Sequence, residues 1–294
     1  MDYSEFIRAR QAAYRAFLAN RPALPPTILG ARDGGIPAAS NIPPGSTFFE
    51  QTVVTSAGVL NIQQPGSSLI GRLNDTETKS IVRVYDLPGT IAYSQTQLEV
   101  GDATAILRSG FEKLFNATEL SMAAFAIEGS PRLQIYGLKT HPNASEYVIE
   151  ANGTGTSADW SDKTSALVYQ DVVKFLNFAE SQSRPFPITN VLLGGDVSAH
   201  LQGTVYSADG TLFLSQVINN NMATRLNPPR VTTIPELSGM IAFSNSLVRF
   251  ELVEDFQPFE HSMEGAQLVL GAGVTIAGIF MDTVGAITYA DVTI

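Results

Sequence analysis

The stretch from Asp102 to Ile127 constrains this chain more than any other part of it. Leu107, Phe111, Leu114 (with Phe115), Thr118, Met122 and Phe125 recur at three- and four-residue steps, so a helix puts them on one face. Asp102 suits the start of that helix, as a hydrogen-bond acceptor and as a negative charge at the positive end of the dipole. Gly129 and Pro131 supply the stop, one residue free to turn and one unable to continue. At about seven turns the helix is more than twice the usual length. Such a stripe needs a broad neighbour, so the rest of the chain is expected to pack around it.

With 294 residues the chain can bury a substantial core, as one large domain or two of ordinary size. It has no cysteine, which excludes disulfides, cysteine-ligated metal sites and thiol nucleophiles. Arg8, Arg10 and Arg15 interrupt the N-terminal stretch, which is not of signal-peptide type, and the sequons at Asn74, Asn116, Asn143 and Asn152 read as chance matches. Charged residues make up 16% of the chain, against about 25% in an average soluble protein. So low a share points to surface hidden in contacts with other subunits, although a large β-rich core gives the same deficit. The net charge of −10 is uneven: residues 1–32 carry five arginines against Asp2 and Glu5, which is +3 and leaves −13 for the rest. An acidic body with a basic arm does not fit a sequence-specific DNA binder.

In chain order, Ser4 to Ala19 reads as a short amphipathic helix with Phe6, Ala9, Ala13 and Phe17 on one side. Residues 22–46 are rich in Pro, Gly, Ala and Ser, so residues 1–46 read as an arm outside the compact core. Strand-like runs follow at Phe48–Val54, Val59–Ile62, Leu69–Leu73 and Ile81–Tyr85, with a polar turn at Asn74–Ser80. This segment has few large apolar residues on one face, so it must lie on something else. Beyond the long helix, Leu133–Leu138 and Tyr147–Ile149 read as short strands and Asn152–Ser157 as a loop. A second helix starts at Asp162 or Thr164 and runs to about Ser181; a buried strand at Ile188–Leu193 and a short helix at Asp196–Leu201 come next. Residues 202–245 are mixed and turn-rich, and Leu247–Phe256 alternates as a strand. Gly265 through Met281 are 17 uncharged residues, short of the roughly 20 that a membrane span needs. Their glycines and β-branched residues favour two buried strands.

No constellation carries chemistry. His141, His200 and His261 stand far apart without metal-type spacing and read as ordinary surface or packing histidines. No Gly-x-Ser-x-Gly elbow nominates a serine nucleophile. Gly153-Thr154-Gly155 and Gly271-Ala272-Gly273 lack the endings of phosphate-binding loops and read as turns. Glu251, Glu254, Asp255 and Glu260 are candidates for paired carboxylates or a cation site, but in an alternating strand before Pro258 they are expected to line a solvated or subunit-facing edge. There is no basic patch interleaved with aromatics of the nucleic-acid kind.

The order of elements nevertheless resembles a known family. A basic arm, a coreless hairpin, one long helix, a Trp-containing loop, a second helix, a buried strand, a short helix and final strands are similar to the major capsid protein of tailed bacteriophages, the Hong Kong 97-type fold. The most specific stretch is Gly129-Ser130-Pro131-Arg132-Leu133-Gln134-Ile135-Tyr136-Gly137-Leu138-Lys139-Thr140-His141-Pro142. It resembles the family's Gly … Gly-Leu-x-Asn-x-Pro segment, with Thr140 or His141 where asparagine is usual. Asp159-Trp160-Ser161 leading into Thr164–Ser181, then Pro187 through Gly194, resembles the family's next helix and strand.

The resemblance implies an α+β fold with an N-terminal arm (1–46) and an extended E-loop (47–90). A peripheral domain (91–144 and 266–294) would hold the spine helix 102–127, and an axial domain would cover 145–265. It implies subunits that form hexamers and pentamers of an icosahedral shell around double-stranded DNA, in the virion, assembled in the host cytoplasm. Implied partners are further copies of the chain, with scaffolding, portal and decoration proteins, and DNA held without base recognition. No catalytic residue, cofactor, metal or membrane is implied. Some members cross-link an E-loop lysine to a neighbour's asparagine; Lys79, the sole lysine before the long helix, is the one candidate, though it sits toward the hairpin's base. The alternatives are an encapsulin-type compartment enclosing an enzyme, and a soluble enzyme or ligand-binding domain.

Overall fold

The computed structural model describes residues 2–22, 29, 36–56, 76–150, 159–183, 186–259 and 267–294. The chain opens with helix α1 (Tyr3–Ala19) and the short strand β1 (Ala38–Ala39). Strands β2 (Phe48–Ser56), β3 (Thr76–Arg83) and β4 (Tyr85–Ser94) follow, then helix α2 (Gln95–Val100) and the long helix α3 (Ala103–Glu128). Next come β5 (Ser145–Glu146), α4 (Ser165–Gln182), β6 (Asn190–Gly194), α5 (Gly195–Gly203) and α6 (Leu214–Ala223). Strands β7 (Arg230–Ile234), β8 (Met240–Phe243), β9 (Val248–Pro258), β10 (Gln267–Met281) and β11 (Ile287–Ala290) complete the order.

Helix α3 forms as its sequence dictates. The Asp102 carboxylate accepts from the backbone N–H groups of Thr104 and Ala105. Leu107, Phe111, Leu114, Phe115, Thr118 and Met122 are buried, and Phe125 is half-buried. The broad neighbour it needs is a four-stranded sheet in the order β1-β9-β10-β4. Phe115 meets Phe256 of β9 edge-on, with ring centroids 5.4 Å apart.

A second sheet, in the order β5-β11-β8-β6-β7, lies between two cores. Successive residues of a strand point to opposite faces, and the burial follows that rule. Leu192, Ile241 and Phe243 join the α3 core, while Val191, Leu193, Met240 and Ala242 join a second core with α4, α5 and α6. Being covered on both sides is why β6 and β8 read as continuous apolar runs.

Several expectations need correction. Helix α1 belongs to the core: Phe6, Ala13 and Phe17 are fully buried, and Phe17 packs on Phe111 and Phe115. An amphipathic helix that reads as an arm finds its partner on the long helix of its own chain. The uncharged run near the C-terminus makes one strand of 15 residues, β10, instead of two. Its glycines do not end it. Gly278 takes a positive φ of 93° where Tyr136 O would lie 2.8 Å from any Cβ, and the β9–β10 register shifts nearby. Residues 85–90, expected in the E-loop, are part of β4 and pair with β10. Thr76–Ser80, expected in a turn, lie in β3. Leu133–Leu138 is no strand; a 3-10 turn at Pro131–Leu133 leads to isolated bridges at Ile135 and Tyr136. The sheets also cross the expected boundary at 265, since β9 pairs with β10 and β11 with β8. Val59–Ile62, Leu69–Leu73 and Asn152–Ser157 lie outside the described residues.

Candidate assembly surfaces

Three features hold the segments that flank the core. The first is the exit from α3. Gly129 has φ +63°, and a Cβ there would lie 2.3 Å from the backbone N of Gly137; a Cβ on Gly137 would lie 2.4 Å from the N of Gly129. The returning chain therefore runs against the helix end and satisfies its last carbonyls. Leu138 N–H donates to Ala126 O (2.8 Å), Lys139 N–H to Ile127 O (3.1 Å), and the Thr140 hydroxyl to Glu128 O (2.7 Å). Thr140 thus has a local task. His141 is buried, its Nδ1 accepts from Asn143 N–H at 3.2 Å, and burial pulls its pKa down to about 4. It is a packing histidine against Tyr136. His200 stands beside the Trp160 ring, and His261 lies outside the described residues.

The second feature is the root of the hairpin formed by β2 and β3. Phe49, Gln51, Val53 and Val82 point inward, and the Gln51 side chain donates to Met281 O at 2.8 Å. Val54 pairs with the turn after β10: its N–H donates to Asp282 O and its carbonyl accepts from Val284 N–H, both at 2.9 Å. Ile42 of the arm, Val82 of the hairpin and Val253, Ala277 and Phe280 of the sheet share a small third core. The hairpin lacks a core of its own, as expected, but its root is fixed on its own subunit.

The third is a set of polar nodes. Glu251, expected at a solvated or subunit-facing edge, is only 1% exposed. Its carboxylate accepts from Arg249 Nε (2.6 Å) and from the Asn41 side chain and backbone (2.9 and 3.0 Å). Asp255 takes both guanidinium nitrogens of Arg21 (2.7 and 2.9 Å), which hold its pKa below the usual carboxylate range, and Arg21 also covers Phe115 at 4.7 Å. Glu119 of α3 is buried beside this pair, and burial raises its pKa. Glu254 meets Gln257, and Glu260 lies outside the described residues. In the second core, buried Asp171 accepts from Lys163 Nζ (2.7 Å) and Trp160 Nε1 (3.2 Å). Sequence reading missed this node, although a carboxylate on the stripe Val168, Val172, Phe175 is the signal for it. Among the described residues no group of three or more His, Cys, Asp or Glu is placed to hold a metal, and no helix is long and apolar enough to cross a membrane.

The family model of major capsid proteins matches residues 91–292. The chain belongs to the major capsid protein family. No curated protein matches it. Among solved structures its fold is similar to the capsid of Myoviridae phage XM1, at 11% identity and TM-score 0.66 over 89% of this chain and 90% of that one. It is also similar to the capsid of an empty GTA particle, at 13% identity and TM-score 0.65 over 93% and 92% of the two chains. A virus-like particle from Pyrococcus furiosus matches at 13% identity and TM-score 0.53 over 98% and 99%.

This capsid subunit is therefore a structural, self-assembling shell protein of α+β, Hong Kong 97-like fold, and it belongs in the virion. Directly opposed residues of an antiparallel pair share a face, so Phe48, Glu50, Thr52, Lys79 and Ile81 form the outward face of the hairpin. Phe48 is 65% and Ile81 59% exposed, and Lys79 pairs with Glu50 at 2.7 Å. A second exposed apolar group, Val205, Leu212 and Phe213, flanks a turn at the edge of the second core.

Proposed function

We propose that this protein forms the hexamers and pentamers of an icosahedral shell enclosing the double-stranded DNA of a tailed phage, and that it does so without catalysis. The observation that supports this best is the β2–β3 hairpin, rooted on its own subunit while its outward face carries uncovered Phe48 and Ile81. Obligate interfaces are large and apolar, and exposed apolar faces of this kind become stable only against a neighbour. Residues 91–144 with β10 serve as the peripheral region, and the second core with α4, α5 and α6 as the axial region around capsomer centres. The acidic body repels DNA and leaves it to be held by confinement, while the N-terminal arginines offset that repulsion locally. Scaffold, portal and decoration proteins are the partners expected in the host cytoplasm.

Electron microscopy of the expressed protein tests the reading. Closed shells with fivefold vertices and nuclease-protected DNA are expected. Shells filled with an enzyme point to a protein compartment, and a monomer by light scattering removes the assembly reading. Ser56 pairs with Thr76, so an Asn-Gly turn can replace residues 57–75 without breaking the register. That variant should remain folded and fail to build stable shells.

A further inference from the structure

The arm and the hairpin that follows it in sequence meet one polar network centred on buried Glu251. Asn41 of the arm gives two hydrogen bonds to Glu251, which also accepts from Arg249 Nε. Arg249 then donates through Nη1 to Asp282 at 2.6 Å. The Asp282 carbonyl accepts from Val54 N–H of the hairpin at 2.9 Å. Four side chains and one backbone bond thus lead from the arm to β2 without a gap. Glu251 is the centre of the path and 1% exposed, so each of its acceptor positions needs the donor it has. Arg249 and Asp282 are 28% and 49% exposed. Exposed ion pairs contribute little stability, whereas their geometry is directional. Apolar contacts in the small third core hold the same elements together and leave their angle less determined.

We propose that Glu251 and Arg249 form a latch that couples the arm segment around Asn41 to the hairpin, so that the hairpin leaves the subunit at one fixed angle before a neighbour arrives. This rests on the reading that the hairpin joins subunits. Glu251 is thus a positioning residue for assembly, acting through Asn41 on one side and Arg249 on the other.

Hydrogen exchange on the unassembled full-length protein tests the coupling. Asn41→Ala removes the side-chain donor to Glu251, keeps the backbone N–H that also reaches it, and touches nothing in the hairpin. A hydrogen bond to a buried carboxylate is among the stronger ones, so its loss should raise exchange at residues 48–56 about tenfold along with that of residues 38–42, while the centre of β10 stays protected. Glu251→Gln should do the same and lower shell yield about tenfold against wild type assembled in parallel. Unchanged protection at 48–56 in Asn41→Ala overturns the latch, because arm and hairpin are then anchored independently. If Glu251→Gln fails to fold, Asp282→Asn, at a half-exposed position, carries the test from the other end, with faster exchange expected in the arm. A wild-type protein that never forms shells removes the assembly reading instead, and the exchange comparison still decides the latch.

Discussion

At the scale of single residues, His141 shows how burial decides the meaning of a titratable side chain. With its pKa drawn down to about 4 from an ordinary 6.5, the folded protein binds this proton less readily than the unfolded chain. Stability from this group is therefore complete above about pH 6.5 and is lost as the pH falls toward 4. The shift corresponds to on the order of 3 kcal/mol. Urea midpoints of wild type and His141→Gln, followed from pH 7 to 4, should converge as the pH falls; parallel curves would show that the histidine is not buried neutral. Glu251 and Asp171 make a related point. Both are buried carboxylates, and both are held by cations and further donors. The alternating strand pattern around Glu251 leaves open which face is covered, whereas Asp171 interrupts a helical stripe and so could have been found.

At the scale of elements, α3 was legible in full because caps and periodicity act between residues a few positions apart. Its Asp102 cap and buried stripe are where the sequence puts them, apart from a less buried Phe125. The fate of α1 was not legible. Its amphipathic pattern demands a partner without naming one, and Phe111 and Phe115 provide it. Truncating a buried phenylalanine costs about 3–5 kcal/mol. Phe17→Ala should lower stability by that amount in denaturant titration, while Phe48→Ala, on the outward face, should change it by less than about 1 kcal/mol and reduce assembly. Equal, small effects of both would return α1 to the status of a loose arm. For β10, glycines that read as breaks between two strands prove to be places where neighbouring backbone comes close, a distinction that local sequence does not carry.

For the whole molecule, the decisive arrangement is that two cores share one sheet while the hairpin's outer face is left uncovered. Covalent locking of such a shell through Lys79 is not expected. Its ammonium is hydrogen-bonded to Glu50, which raises its pKa and depletes the neutral amine that attack on an amide requires. A denaturing gel of assembled particles should show monomer alone, and a ladder of multimers would contradict this.

Sequence alone determined the long helix with its cap and stop, α4, the first strand of the hairpin and the want of a core beneath it. All of these rest on periodicity and turn chemistry within a few residues. Tertiary structure decided which faces were covered. It sent α1 into the core, ran β10 unbroken across the sheet, pressed Gly129 against Gly137 and buried Glu251 under Asn41, 210 positions away along the chain. Those outcomes depend on close packing between distant segments, and a local pattern can require a partner without saying where in the chain it lies.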